Sequence, residues 1–167
     1  MKRVYLTIAI PLFASLVIYL FYRTENTVVN YLAMNLISVN SYMALRDSIN
    51  RLLPLSRFVI YSLPEGLWVF CITLTSKAFY FERCEKKVSC AIVPLIFSIG
   101  LEFCQLLGIT NGTFDLMDIG ASIVFWTAAN YFIVYSREQE NILKPINIRS
   151  FTCFASYGIV YLSHVPL

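Results

Sequence analysis

The stretch CAIVPLIFSIGLEFCQLLGI, residues 90–109, decides how this chain is read. About 20 apolar residues at 1.5 Å per residue are enough to cross the hydrocarbon core of a bilayer. Within the run stands one acid, Glu102, with Gln105 one turn further on. An ionised side chain at that depth costs roughly 3 kcal/mol or more, so it is rare there and marks a site by default.

The rest of the chain agrees with a membrane reading. Of 167 residues, 58% are hydrophobic and 14% are charged, and mean hydropathy is +0.67. A soluble domain carries roughly 25% charged and 45–50% apolar residues. The net charge of +3 is too small to imply nucleic acid. The length allows one compact domain. The apolar runs predict an all-α, polytopic transmembrane bundle over 1–167, with about five spans at 4–22, 58–81, 88–109, 114–136 and 151–163. The first follows Met1-Lys2-Arg3, as a signal peptide would, but its apolar run is longer than the usual 7–15 residues and no small-x-small site follows. It reads as an uncleaved signal anchor, kinked at Pro11.

Five spans put the N-terminus inside and the C-terminus outside. The inner segments then hold Lys2, Arg3, Arg83, Lys86, Lys87, Arg137, Lys144 and Arg149, with Lys77 near the inner end of its span. The outer segments hold Arg23, Arg46, Arg51 and Arg57. This is the Lys/Arg bias expected of cytoplasmic loops.

Segment 24–54 is too polar to span. Its apolar residues recur at helical spacing: Val29, Leu32, Leu36, Val39, then Tyr42, Leu45, Ile49, Leu52. Two short amphipathic helices on the outer face fit this pattern. They lie in the headgroup layer or cover the bundle, and a re-entrant hairpin is the alternative.

The acids gather near the outer ends of the spans. Pro64 is tolerated in a helix's first turn, so the regular helix of the second span is expected to begin there, with Glu65 in its first turn. After the Asn111-Gly112 turn, Thr113 or Asp115 can cap the next helix and Asp118 falls in its first turn. Such acids are commonly structural. Glu102 lies instead towards the C-terminal end of its helix, where the dipole opposes an anion. It can stay protonated, pair with a cation or open onto a water-filled cavity. Arg57 is the expected basic neighbour. Glu102 and Gln105 should face Asp115 and Asp118 across the short turn. With Glu65 they form either a polar pocket open to the outer leaflet or an interhelical hydrogen-bond cluster.

The pattern Glu102-x-x-Gln105, a short turn, Gly112-Thr113-Phe114-Asp115-x-x-Asp118 and the small-residue helix start Gly120-Ala121-Ser122 resembles the VanZ-like family of small bacterial membrane proteins. Leu63-Pro64-Glu65-x-x-Trp68 also looks like a feature of these relatives. The match covers about 25 residues of the third and fourth spans, and the first half of the chain contributes nothing to it. The resemblance implies a helical protein of the bacterial inner membrane with no established enzymatic mechanism. Many members carry an Arg shortly before the Asp pair, where this chain has Asn111 and Gly112.

No other motif competes. Cys71, Cys84, Cys90, Cys104 and Cys153 form no C-x-x-C, and no disulfide, metal site or cofactor is expected. The lone His164 reads as an interfacial residue rather than a ligand. Trp68 and Trp126 read as lipid-facing or packing residues. Arg137-Glu138-Gln139-Glu140 reads as a solvated inner helix end. No Walker loop, Ser-His-Asp set, zinc spacing or dinucleotide fingerprint is present.

Three functions remain, in descending order. The first is a non-enzymatic binder of a membrane lipid or lipid-linked envelope component, in an outer-leaflet pocket of Glu102, Gln105, Asp115, Asp118, Glu65 and Arg57. The second is an accessory subunit of a larger membrane assembly, with a partner protein or a second copy of itself. The third is an intramembrane enzyme using Glu102 or Asp118 as general base.

Overall fold

The computed structural model describes residues 2–23, 28–83, 86–109, 113–132, 139–143 and 146–164. Cys84, the Asn111-Gly112 turn, Arg137, Glu138 and Lys144 lie outside the described residues, as do the side chains of Lys2, Arg3 and His164.

The fold is mostly helical. Among the described residues it has seven α-helices: α1 (Lys2–Tyr22), α2 (Val28–Ile37), α3 (Val39–Leu52), α4 (Arg57–Ser76), α5 (Val93–Leu106), α6 (Leu116–Tyr131) and α7 (Ile148–His164). A 3-10 turn, Cys90–Ile92, leads into α5. α4 is the central helix. It packs on α1, α5, α6 and α7, most extensively on α6. Gly66 makes the α4–α6 approach possible, since a Cβ there would stand 2.3 Å from the Phe125 ring. Trp68, Val69 and Ile72 of α4 form the main apolar core with Leu101 and Val160.

Among the described residues, α4 is the one helix long and apolar enough to cross a membrane; Leu6–Tyr22 and Cys90–Leu106 are apolar but shorter. One reason is a small sheet that the apolar pattern did not reveal. Strands β1 (Phe79–Arg83), β2 (Lys86–Ser89) and β3 (Glu140–Asn141) lie in the order β2-β1-β3. β1 pairs antiparallel with β2, Arg83 opposite Lys86, and parallel with β3. Phe79-Tyr80-Phe81 therefore ends the second apolar run as a strand, and Val88-Ser89 starts the third as one. Short apolar runs fit helix and strand alike, and the aromatic residues here favour the strand. α4 stops at Ser76, and the Lys77 ammonium donates to Ala129 O (3.0 Å) and Asn130 O (2.9 Å) at the end of α6. This supplies carbonyls that have no partner within the last turn of their own helix.

Segment 24–54 does hold two short helices, α2 and α3, joined at Ser38 with φ of 70°. Five apolar residues of that stripe face away from the bundle: Leu36 is 85% and Leu52 83% exposed, and Leu32, Val39 and Leu45 are also open. What α3 turns inward is a hydrogen-bonding row one turn apart, Tyr42, Arg46 and Asn50. Tyr42 OH donates to Leu20 O, Arg46 to Phe21 O and Arg23 O, and Asn50 to Phe21 O. The row closes off the C-terminal carbonyls of α1.

α4 also starts earlier than its proline implied. Arg57–Leu63 is already helical, so Pro64 lies inside the helix and Glu65 lies about two turns in, outside the first turn. Pro64 has no N–H to give Ile60 O, four residues back. Arg23, just past α1, takes that place: its Nε donates to Ile60 O (3.4 Å) and its Nη2 to Tyr61 O (2.6 Å).

Candidate functional site

The six sequence-selected residues separate into two layers. Glu102 and Glu65 are buried, 2% and 3% exposed, and hold helices together. Glu102 Oε2 accepts from the Asp115 backbone N–H at 3.0 Å, so an acid of α5 satisfies an amide at the start of α6. Glu65 accepts from Trp68 Nε1 (2.8 Å) and from Ser98 Oγ of α5 (3.4 Å). Ser98 Oγ in turn meets Ser122 Oγ of α6 at 2.7 Å. Small hydroxyls at these crossings allow close helix approach and carry the bonds from α4 to α5 to α6. Trp68, read from sequence as a packing or lipid-facing residue, is buried and donates its indole N–H to Glu65.

Gln105, Asp115, Asp118 and Arg57 form the second layer. They line a cavity of about 660 Å³ together with Arg23, Phe58, Tyr61, Ser62, Thr113 and Met117. All of these residues come from one end of the bundle. α1 and α5 finish there, and α4 and α6 begin there. The N-termini of α4 and α6 therefore point towards the cavity.

Asp115 is the N-cap of α6. Its Oδ1 accepts from Met117 N–H at 2.8 Å, and its backbone is extended. Asp118 sits in the first turn of α6, beside the Ser62 hydroxyl of α4. Its Oδ1 is buried and has no hydrogen-bond partner among the described residues. A buried acceptor without a donor is costly, about 1–3 kcal/mol, and so is a natural place for a ligand or water to bond.

The basic side of the cavity differs from expectation. Arg57 was expected to neighbour Glu102, but Glu102 bonds a backbone amide, and Arg57 is exposed on the cavity wall. The second cation, Arg23, was not selected from sequence as a site residue. Its guanidinium also bonds Tyr19 OH (3.1 Å) and lies over the Tyr19 and Tyr61 rings. Among the described residues, Arg149–Glu140 is the ion pair that forms; neither Arg23 nor Arg57 is in one.

No protein-family model, curated protein or solved structure matches the chain.

The chemistry at hand is thus that of a mixed-charge binding cavity. Two guanidiniums, two carboxylates, an amide and three hydroxyl-bearing side chains line it, with Phe58 and Met117 as its apolar members. Its volume lies in the roughly 300–1,000 Å³ range of small-molecule sites. Among the described residues, no group of three His, Cys, Asp or Glu side chains converges to hold a metal ion.

Proposed function

We propose that this chain is an integral membrane protein of the VanZ-like type, seated in a bacterial inner membrane, and that its end cavity binds a lipid or lipid-linked envelope component from the outer leaflet. The observation that carries the reading is the cavity itself, where the polar ends of four helices converge around an unpartnered Asp118 oxygen.

The surface supports the membrane part of the reading. Leu6, Ile10 and Phe13 of α1, Ile96 and Phe103 of α5, and Ile123 and Val124 of α6 all face outward. Meanwhile Ser15, Ser62, Thr73, Ser76, Ser98, Ser122, Glu65 and Glu102 are buried. In water that arrangement exposes apolar area that soluble monomers avoid. In lipid it costs nothing, and polar contacts between helices become the natural interior. On this reading α1, α4, α5 with its 3-10 turn, α6 and α7 are the five crossings, and the cavity opens outward. The sheet, with Arg83, Lys86 and Lys87, lies at the cytoplasmic end, in line with the positive-inside rule.

Native mass spectrometry of the protein extracted gently from its own membrane tests this. Wild type should carry a bound lipid or envelope component, and Asp118→Asn should lose most of it. A wild-type protein free of any such adduct would sink the reading.

The outward apolar face of α2 and α3 favours a second reading, an accessory subunit whose partner covers Leu32, Leu36 and Leu45. The same experiment decides: a fixed protein partner with an empty cavity would select it.

A further inference from the structure

Resting on the lipid-binding reading above, we propose that the cavity selects a headgroup carrying both a phosphate and a primary ammonium, as in phosphoethanolamine. The phosphate sits on Arg23 and Arg57, and the ammonium sits on Asp118 and Asp115.

The charges of the wall carry the argument. It presents two guanidiniums and two carboxylates, and the arginines form no ion pair with the acids or with any other described residue. A purely anionic headgroup would have to lie against Asp115 and Asp118. A purely cationic ligand would have to lie against Arg23 and Arg57. A zwitterion answers both halves, and matching charges in this way is what gives a site its specificity.

The donor and acceptor inventory points the same way. Arg23 has five N–H donors and gives three of them to Ile60 O, Tyr61 O and Tyr19 OH. One hydrogen remains on each terminal nitrogen, the fork that suits a phosphate. Those three bonds also fix the guanidinium in place before any ligand arrives. Arg57 makes no hydrogen bond with another described residue, so its whole fork is available. On the other side, Asp118 Oδ1 is buried and lacks a donor. A primary ammonium supplies three N–H donors, whereas a trimethylammonium supplies none. Quaternary ammonium is instead recognised by open aromatic faces. Of the aromatic rings on the cavity wall, Tyr61 already carries Arg23, and Phe58 alone is one ring where a trimethylammonium cage needs several. The cavity therefore favours ethanolamine over choline. Phe58 and Met117, both exposed, offer apolar contact where the glycerol and first acyl carbons would leave the cavity.

The same headgroup chemistry occurs in a lipid and in a free phosphomonoester, so the test separates them. The full-length protein is exchanged into detergent containing equal amounts of phosphatidylethanolamine, phosphatidylcholine and phosphatidylglycerol. Retained lipids are then read by native mass spectrometry, with and without soluble O-phosphoethanolamine. Wild type should retain phosphatidylethanolamine over each of the others by about tenfold or more, the effect of one or two charge-assisted hydrogen bonds. Asp118→Asn should lose most of its phosphatidylethanolamine, and with it that preference. Arg57→Gln should hold all three more weakly, and its exposed, unbonded side chain makes the fold indifferent to the change. Asp115→Asn provides an independent ammonium-side variant should Asp118→Asn not fold. Competition by O-phosphoethanolamine would assign the recognition to the headgroup alone; its failure beside retained phosphatidylethanolamine would assign it to the membrane-borne lipid. Equal retention of the three lipids by wild type, or an ethanolamine preference that survives both aspartate variants, would overturn this inference and leave lipid binding standing. Retention of no lipid at all would overturn lipid binding as well.

Discussion

Glu102 and Asp118 are both acids near one end of a helical bundle, yet they have opposite employment. Glu102 has a partner that any acceptor of similar shape could serve, the Asp115 amide at 3.0 Å. Glu102→Gln keeps a carbonyl oxygen for that N–H and should be nearly neutral. Glu102→Ala leaves the half-buried amide without its acceptor and should cost about 1 kcal/mol or more. In thermal unfolding of the detergent-purified protein, the alanine variant should melt several degrees lower, since each kcal/mol shifts Tm by about 2–4 °C at this chain length. Equal losses in both variants would mean that the charge matters, not the acceptor. Neither variant should change the bound lipid, because Glu102 stands behind the cavity wall rather than on it. Asp118→Asn should do the reverse and empty the cavity at little cost in Tm. The residue pattern revealed that these acids come together. It could not reveal which one faces the void, because that depends on a side-chain direction set by the α4–α6 contact.

At the level of elements, α4 meets α6 with no room for a side chain at Gly66. Gly66→Ala would put a methyl 2.3 Å from Phe125, which itself packs edge-on against Phe70 with ring centroids 6.5 Å apart. The ring must move and the helices must part, at about 1–3 kcal/mol for such overpacking. Adding Phe125→Leu should recover part of the loss, a coupling that a double-mutant cycle of thermal or chemical unfolding would measure. Simple additivity of the two changes would show that Gly66 is not the point of contact. This packing also explains which elements were legible. The helices α1, α4, α5, α6 and α7 follow from long apolar runs, and Asp115 as N-cap follows from Asp and turn chemistry. The strand Phe79–Arg83 escaped because three aromatic residues extend an apolar run equally well in either conformation. The orientation of α2 and α3 escaped too. Their periodicity was plain, but the carbonyls of Leu20 and Phe21 drew in Tyr42, Arg46 and Asn50, and the leucines were left outside. Arg23 became a site residue through Pro64, 41 positions away, whose missing N–H freed Ile60 O. No local pattern encodes a contact of that range.

Over the whole molecule, polarity is arranged along an axis. One end gathers Arg23, Arg57, Asp115 and Asp118 around the cavity, and the other gathers Arg83, Lys86 and Lys87 on a β-hairpin. Between them α4 runs for 20 residues, about 30 Å, the thickness of a bilayer's hydrocarbon core. If the chain crosses a membrane as proposed, the two ends must lie in different compartments. Ser56 and Lys86 are exposed reporters at opposite ends of this axis. In a Cys84→Ser background, an impermeant maleimide added to spheroplasts should label Ser56→Cys at once and Lys86→Cys only after lysis. The described native cysteines, buried or half-buried, should contribute little background. Labelling of both positions from outside would place the sheet and the cavity on one face of the membrane. α4 could not then be a crossing, and its apolar length would have to be that of a core helix. Reversed labelling would turn the cavity towards the cytoplasm. The headgroup would then have to come from the inner leaflet, which lipid exchange in detergent cannot distinguish but this experiment can.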